Sequence, residues 1–374
     1  MIKKKIVITG GHLSPAISVI KQLQKDPKWE IYFFGRRYES EGESVLSAEA
    51  KIIPEMGIKF IPIAAGKIQR KFTKYTIPAI LRLPLGFIQS FWQLFKIKPD
   101  VILSFGGYMS VPVVINGWIL RIPSLTHEQT TVVGLGTKIN QYFVNKIAVS
   151  WPELSWNFPN LKVVFTGNPV NKDFLQSDEK IWTNTGFDNK KPTIVITGGR
   201  QGSHAINETM AESIDILTGK YNIFHQVGPS ERTGDFEKLN AIRDQLPAKK
   251  KISLIVKKYL YGKEWGTILN HADLVITRSG INTLTELAIL GKPMLLIPLP
   301  WLYNNEQVNN AILFKKWGLA EIILQKDLTV DNLLNKIESI FTDIDKFKVA
   351  LSKFKKVIKK DAAQKIVIEL EKLC

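Results

Sequence analysis

The sequence predicts an α/β protein of two doubly wound, Rossmann-like domains facing across a cleft, and three observations carry that prediction. Apolar strand-like runs alternate with amphipathic helical segments along the chain. The hexapeptide IVITGG occurs twice, at 6–11 and 194–199, each time as an apolar run ending in two glycines. The chain has 374 residues, too many for one ordinary core and comfortable for two.

In order, KIVIT is expected as a strand and SPAISVIKQLQKD as a helix with Ser14 at its cap and Pro15 in its first position. WEIYFFG, VILSF and IPSLTHE follow as strands, then a helix near GLGTKINQYF and short strands at KIAVS and KVVFTGNPV. A second series begins at PTIVITGG. It continues with the helix HAINETMAESIDIL, the strands YNIFHQVG and ISLIVKKYL, and a helix over KEWGTILNHA. The strand DLVITRSG, a helix over NTLTELAILG and the strand PMLLIPLP complete it.

Composition narrows the class. With 45% apolar and 23% charged residues and no low-complexity tract, the chain is globular. Its one cysteine, Cys374, excludes a disulfide framework and points to a reducing compartment. MIKKKIVITGG has too short an apolar run for a signal-peptide core. The uncharged window 101–120 is long enough to span a bilayer. Its Gly106, Gly107, Pro112, Asn116 and Gly117 fit a strand, a glycine turn and a helix better.

Net charge is +17, which attracts polyanions: nucleic acid, an anionic leaflet or phosphorylated substrates. A merely solvated basic surface is the plainer alternative. Within 66–98, Lys67, Arg70, Lys71 and Lys74 precede an apolar stretch that Lys96 and Lys98 close. Its side chains include Ile80, Leu81, Leu85, Phe87, Ile88, Phe91, Trp92 and Phe95. Such a basic-rimmed surface suits anionic lipid, although a core helix with basic ends has the same composition.

Polar residues gather at strand ends in the second half: GGRQGSHAIN (198–207), HQVG (225–228), TRSGINTLTE (277–286) and NNEQVNNA (304–311). Ligands bind beyond the carboxyl ends of strands in open α/β sheets, where glycines let backbone N–H groups approach an anion. Neither IVITGG copy completes G-x-G-x-x-G, and no G-x-x-x-x-G-K-[ST] loop is present, which disfavours a nicotinamide dinucleotide. The clusters suit a nucleoside diphosphate. Gly280, at a helix start, can face phosphate, and Glu286 can accept hydrogen bonds from both ribose hydroxyls. The alternative for Glu286 is an ordinary helix flank.

TGGHLSP, FGGYMSVP, HEQ, TGNPV, GGRQGS, HQVG, RSGINTLTE and EQVNNA stand in the order and spacing of the bacterial MurG-type glycosyltransferases, which the chain resembles from its first strand to about residue 311. The resemblance implies a glycosyltransferase-B fold and an inverting, metal-independent enzyme without cofactor. It would move N-acetylglucosamine from UDP to a lipid-linked, undecaprenyl-diphosphate muramyl-pentapeptide. The implied organisation is an acceptor and membrane domain over 1–168 and a UDP-sugar domain over 169–346. A C-terminal helix over 347–374 would pack back on the first domain. The implied partners are a UDP-sugar, a lipid-linked diphosphate and an anionic membrane surface, with no nucleic acid. The implied location is cytoplasmic, peripheral on the inner face of the membrane.

Carried over residue by residue, the resemblance places Gly198, Gly199, Arg200, Gln201, Gly202, His225, Arg278, Ser279, Gly280, Thr283, Glu286 and Gln307 at the donor. Gly10, Gly11, Tyr108, His127, Thr130 and Thr137 fall on the acceptor side. It nominates His12 as catalytic base, with Glu128 second, since histidine is the natural base near neutral pH. The chain departs from the family at Thr130 and Thr137, where amides are usual, at Asn171 for an arginine, at Arg200 for a serine, and at Glu306 beside Gln307. Those departures bear on the acceptor and the donor sugar. The D-x-D-like DID at 343–345 lies outside the strand-end clusters. A sugar-nucleotide epimerase of the same architecture and a basic nucleic-acid-binding module are the competing expectations.

Overall fold

The computed structural model describes residues 3–38, 45–64, 76–301, 303–355 and 358–374, without the side chains of 76–83, 156, 160 and 303. The chain divides into two units, Met1–Asn171 with Lys359–Cys374, and Lys172–Ile358.

The first unit is a seven-stranded parallel sheet of β1 (Lys4–Thr9), β2 (Trp29–Gly35), β3 (Lys59–Pro62), β4 (Val101–Ser104), β5 (Ser124–Glu128), β6 (Lys146–Val149) and β7 (Val163–Phe165), in the order β3-β2-β1-β4-β5-β6-β7. Its crossovers carry α1 (Leu13–Leu23), α2 (Ala48–Glu55), α3 (Thr76–Ile97), α4 (Ser110–Ile119) and α5 (Leu135–Asn140). Ile6 and Ile8 enter one core layer with Val19, Leu23 and Phe33, while Val7 enters the other with Leu94, Ile102 and Val113. Alternate side chains of β1 thus serve opposite faces, and helices cover both, so the strand is apolar throughout.

The second unit repeats the plan with β8 (Thr193–Thr197), β9 (Asn222–Gln226), β10 (Leu254–Lys257), β11 (Leu274–Thr277), β12 (Met294–Leu296) and β13 (Ala320–Ile322), all parallel, in the order β10-β9-β8-β11-β12-β13. Its helices are α6 (Glu179–Thr183), α7 (His204–Lys220), α8 (Asp235–Gln245), α9 (Ala248–Lys251), α10 (Gly262–His271), α11 (Ile281–Leu290), α12 (Glu306–Lys316), α13 (Val330–Thr342) and α14 (Ile344–Phe354). Last, α15 (Ala362–Glu371) belongs to the first unit.

The two IVIT runs are β1 and β8, the strands from which each sheet grows in both directions. Strand order reverses beside them, between β1 and β4 and between β8 and β11. That reversal opens a crevice at the carboxyl ends. Register makes the strand ends level: Thr9 pairs with Ser104, and Thr197 with Thr277.

Two expectations need correction. The first helix starts at Leu13 with His12 at the cap position and no side-chain cap, so Ser14 lies inside it. The segment 347–374 is not one returning helix. Phe347, Leu351 and Phe354 of α14 are buried, and Phe354 packs against Phe314 and Trp317 of the second unit. Only Lys359–Cys374 joins the first, through Ile366 and Leu370 in its core.

Candidate active site

The donor-side residues of the second unit meet at its reversal point. The turn after β8 packs backbone on backbone. Gly202 has φ +72°, and a Cβ there would collide with the Val227 carbonyl oxygen. Gly228, at φ +87°, would collide with Gly202 in turn, so only glycine fits at both positions. Gln226 fixes this loop from below. Its Nε2 donates to Thr197 Oγ1 (3.1 Å) and Gly199 O (3.3 Å), and its Oε1 accepts from Leu260 N (3.2 Å).

His225, nominated at the donor, does not face the loop. It is 0% exposed, its Nε2 lies 3.0 Å from Asn207 Oδ1, and burial drives its pKa down to about 3. Asn207 Nδ2 donates to Asp235 Oδ2 (2.8 Å), and His204 Nδ1 lies 2.8 Å from Asp235 Oδ1. Adjacent strand residues face opposite ways, so His225 ties β9 to α7 and α8 while Gln226 holds the loop.

Arg278 is 7% exposed and anchors the turn after β11. Its Nη1 donates to Ile297 O (2.9 Å) and its Nη2 to Ser203 Oγ (2.6 Å), the N-cap of α7. Among the described residues no carboxylate pairs with it, and burial alone lowers its pKa to about 10. Thr277 Oγ1, Arg278 Nε and Ser279 Oγ, polar atoms of three consecutive buried residues, have no hydrogen-bond partner there. Orphaned buried polar groups are uncommon in folded proteins. A cation without a counter-charge beside the N-termini of α7 and α11 makes this end of the sheet electropositive. Arg278, which the resemblance places at the donor, thus lies beneath the turn, tied to Ile297 and Ser203.

Gly280 caps α11, and a Cβ there would meet nothing within 4 Å, so the helix N-terminus opens onto free space. Thr283 is partly exposed in its first turn. Glu286, one turn further, has its carboxyl pushed up to about 7 by burial, against a lowering hydrogen bond from Trp265. Gln307 is nearly committed: its Oε1 accepts from Ser279 N (3.2 Å) and Leu299 N (3.0 Å), which leaves the amide nitrogen to donate. Asn304 and Asn305 precede α12 with φ of 46° and 51°. Consecutive left-handed non-glycine residues are strained, and here they turn Gln307 back onto the site. Arg200 and Gln201 are exposed at the tip of the glycine loop.

The first unit builds a second strand-end site. Gly11 N donates to Gly106 O (3.1 Å), and a Cβ on Gly10 would stand 2.8 Å from the Phe105 backbone. His12, half-buried at the start of α1, lies within electrostatic reach of Glu128. Burial lowers its pKa and the Glu128 charge partly offsets this, so the imidazole is neutral at pH 7. The Glu128 carboxylate is held by two backbone donors. Its Oε1 accepts from Thr130 N (3.3 Å) and its Oε2 from Gly134 N (3.0 Å).

His127, Thr130 and Thr137 do not line an open surface, since all three are buried. His127 Nε2 lies 3.1 Å from Gly167 O and 3.2 Å from Ser150 Oγ, and burial lowers its pKa to about 4. The Thr130 hydroxyl donates to Val132 O (2.6 Å), and Thr137 Oγ1 stands beside Gly106. All three are tied to the loops at the strand ends of this unit. Tyr108 remains half-buried at the β4 turn.

On α3, Leu85, Ile88, Trp92 and Phe95 are 50–62% exposed and recur at helical spacing as one stripe. Phe87 and Phe91 are half-buried, and Phe91 stacks on Phe95 at 6.3 Å. The Ile80 and Leu81 side chains, and Lys67, Arg70, Lys71 and Lys74, lie outside the described residues. No described helix is long and apolar enough to cross a membrane. Among the described residues no cluster of three His, Cys, Asp or Glu could hold a metal. Asp343 and Asp345 of the DID segment pair with Lys346 (2.6 Å) and Lys348 (3.3 Å).

Sequence reasoning missed Ser203, Asn207, Gln226 and Trp265. Gln226 was within sight in HQVG, and Ser203 bore the mark of a helix cap. Trp265 carried no local signal.

Residues 8–149 match the glycosyltransferase family 28 N-terminal domain, and 193–366 its C-terminal domain. A Bacillus anthracis protein, UDP-N-acetylglucosamine–N-acetylmuramyl-(pentapeptide) pyrophosphoryl-undecaprenol N-acetylglucosamine transferase 2, is 36% identical over 370 residues, covering 97% of this chain and 98% of the relative. The fold resembles Acinetobacter baumannii MurG, with TM-score 0.75, 22% identity and 99% of both chains covered. It also resembles the UDP-GlcNAc 2-epimerase of Neisseria meningitidis, with TM-score 0.65, 13% identity, and 99% and 100% covered. Transferases and epimerases thus share the architecture, and the sequence relationship separates them. A relationship that runs through both domains makes this chain a member of glycosyltransferase family 28, of the MurG type.

Proposed function

We propose that this glycosyltransferase moves N-acetylglucosamine from UDP-N-acetylglucosamine to a muramyl-pentapeptide carried on undecaprenyl diphosphate, at the inner face of the cell membrane. The observation that carries the donor half is the buried Arg278 guanidinium, without a counter-charge among the described residues, beside two helix N-termini. Those groups suit a diphosphate, and Glu286 suits the ribose beside it. The names of the relatives support the sugar and the acceptor.

The second unit holds the donor; the first holds the acceptor and the base. The acceptor hydroxyl oxygen bonds to the anomeric carbon, the bond to the diphosphate breaks on the opposite face, and UDP leaves with the electron pair. The hydroxyl proton passes to neutral His12, and Glu128 stabilises the imidazolium that results. Charge developing on UDP is met by the N–H groups of 198–202 and the α11 terminus, by Arg200 at the loop tip and by the field of Arg278. No step calls for a metal. The exposed stripe of α3 meets the bilayer surface, where Lys96 and Lys98 face anionic headgroups.

The test is turnover. The purified chain, UDP-N-acetylglucosamine and the lipid-linked muramyl-pentapeptide are incubated, and products are weighed by mass spectrometry. The acceptor gains one N-acetylhexosamine and UDP is released in equal amount. Conversion of UDP-N-acetylglucosamine to an epimer without transfer contradicts the proposal.

A further inference from the structure

Trp265 lies one turn into α10, and its indole Nε1 donates to Glu286 Oε2 at 3.4 Å. Both side chains are only partly buried, so the contact lies at the surface of the second unit rather than in its core. The helix beneath is firmly held. Gly266, Thr267, Ile268 and Leu269 are buried, and Thr267 Oγ1 accepts from Asp178 N (2.9 Å). On the same helix, Lys263 pairs with Asp178 (3.1 Å), and His271 Nε2 lies 3.3 Å from Glu179 Oε2. Burial and the indole hydrogen bond are the causes acting on the Glu286 carboxyl, and no charged group among the described residues adds to them.

We propose that Trp265 is a positioning residue for nucleoside recognition, holding the Glu286 carboxylate in the one plane that meets both ribose hydroxyls. The inference rests on Glu286 being the ribose-binding carboxylate. A glutamate with no fixed neighbour samples several rotamers, and each one it must abandon on binding weakens the complex. An indole N–H donates and never accepts, so it fixes one carboxylate oxygen while favouring the ionised form. Oε1 stays clear of that contact, and Oε2 keeps a second acceptor site, so a vicinal diol can engage both. The consequence is specificity for a ribonucleoside diphosphate over its 2′-deoxy counterpart.

The test is calorimetry with UDP and 2′-deoxy-UDP on the whole chain, comparing wild type, Trp265→Phe, Glu286→Gln and the double variant across pH. Phenylalanine keeps the ring and loses the donor. Trp265→Phe is expected to weaken UDP about tenfold and to narrow the preference over 2′-deoxy-UDP, as loss of a hydrogen bond to a charged group does. It should also move the pH midpoint of UDP binding upward relative to wild type. In the Glu286→Gln background the same substitution should add little. Wild-type affinity, preference and midpoint in Trp265→Phe overturn the inference while Glu286→Gln still binds weakly. An equal loss in both backgrounds overturns it too. If Glu286→Gln binds UDP as wild type does, the ribose role of Glu286 fails and takes the inference with it.

Discussion

Replacing Glu286 by glutamine should stabilise the ligand-free protein at alkaline pH while impairing its use of UDP. The carboxyl sits at about 7 in the folded chain against an ordinary 4.5, chiefly because burial disfavours the charged form. The folded state therefore holds its proton more tightly than the unfolded state. Full stability is present below pH 4.5 and declines as pH rises through 7. Between pH 5 and pH 8 the loss reaches about 2.5 kcal/mol for a fully buried group, and partial contact with water reduces it to about 1–2 kcal/mol. Glutamine has no proton to lose. Thermal melts without UDP should place Glu286→Gln about 3–6 °C above wild type at pH 8 and close to it at pH 5. UDP affinity should fall at least about tenfold. An offset equal at both pH values, or unchanged UDP binding, would refute the assignment of a strained ligand-facing carboxylate.

Three further outcomes follow from the geometry. His12→Ala should lower kcat about 10²–10⁴-fold with little change in melting temperature, since His12 makes no side-chain cap bond, and the acid limb of the wild-type kcat profile should lie below pH 6.5; steady-state kinetics and melts check both. A Trp92→Glu/Phe95→Glu variant should lose about tenfold in flotation with anionic vesicles while keeping UDP affinity, because the stripe is solvent-facing. Gly202→Ala should lower stability by about 1–3 kcal/mol in chemical unfolding, since it combines a left-handed backbone with a collision at Val227.

Much of this architecture was legible because parallel strands covered on both faces read as unbroken apolar runs. KIVIT, VILSF, TIVIT and DLVIT are all central strands, and the glycines behind them mark the reversal points of both sheets. The same continuity hid which polar residue faces the ligand. In HQVG, both His225 and Gln226 are polar and both faces of β9 are covered, so nothing local distinguishes the inward residue from the one holding the loop. HEQT poses the same ambiguity, with His127 packed under Gly167. The break between α14 and α15 was obscured by lysine-rich periodicity running through 347–373. The Trp265–Glu286 contact joins residues on separate helices, a pairing no spacing rule encodes.

The most direct measurement is hydrogen–deuterium exchange of the whole chain with and without UDP. Binding at the reversal point of the second unit predicts protection across 198–203 and 278–286, with 10–12 and 105–108 little changed. Protection confined to the first unit, or none at saturating UDP, would contradict the account.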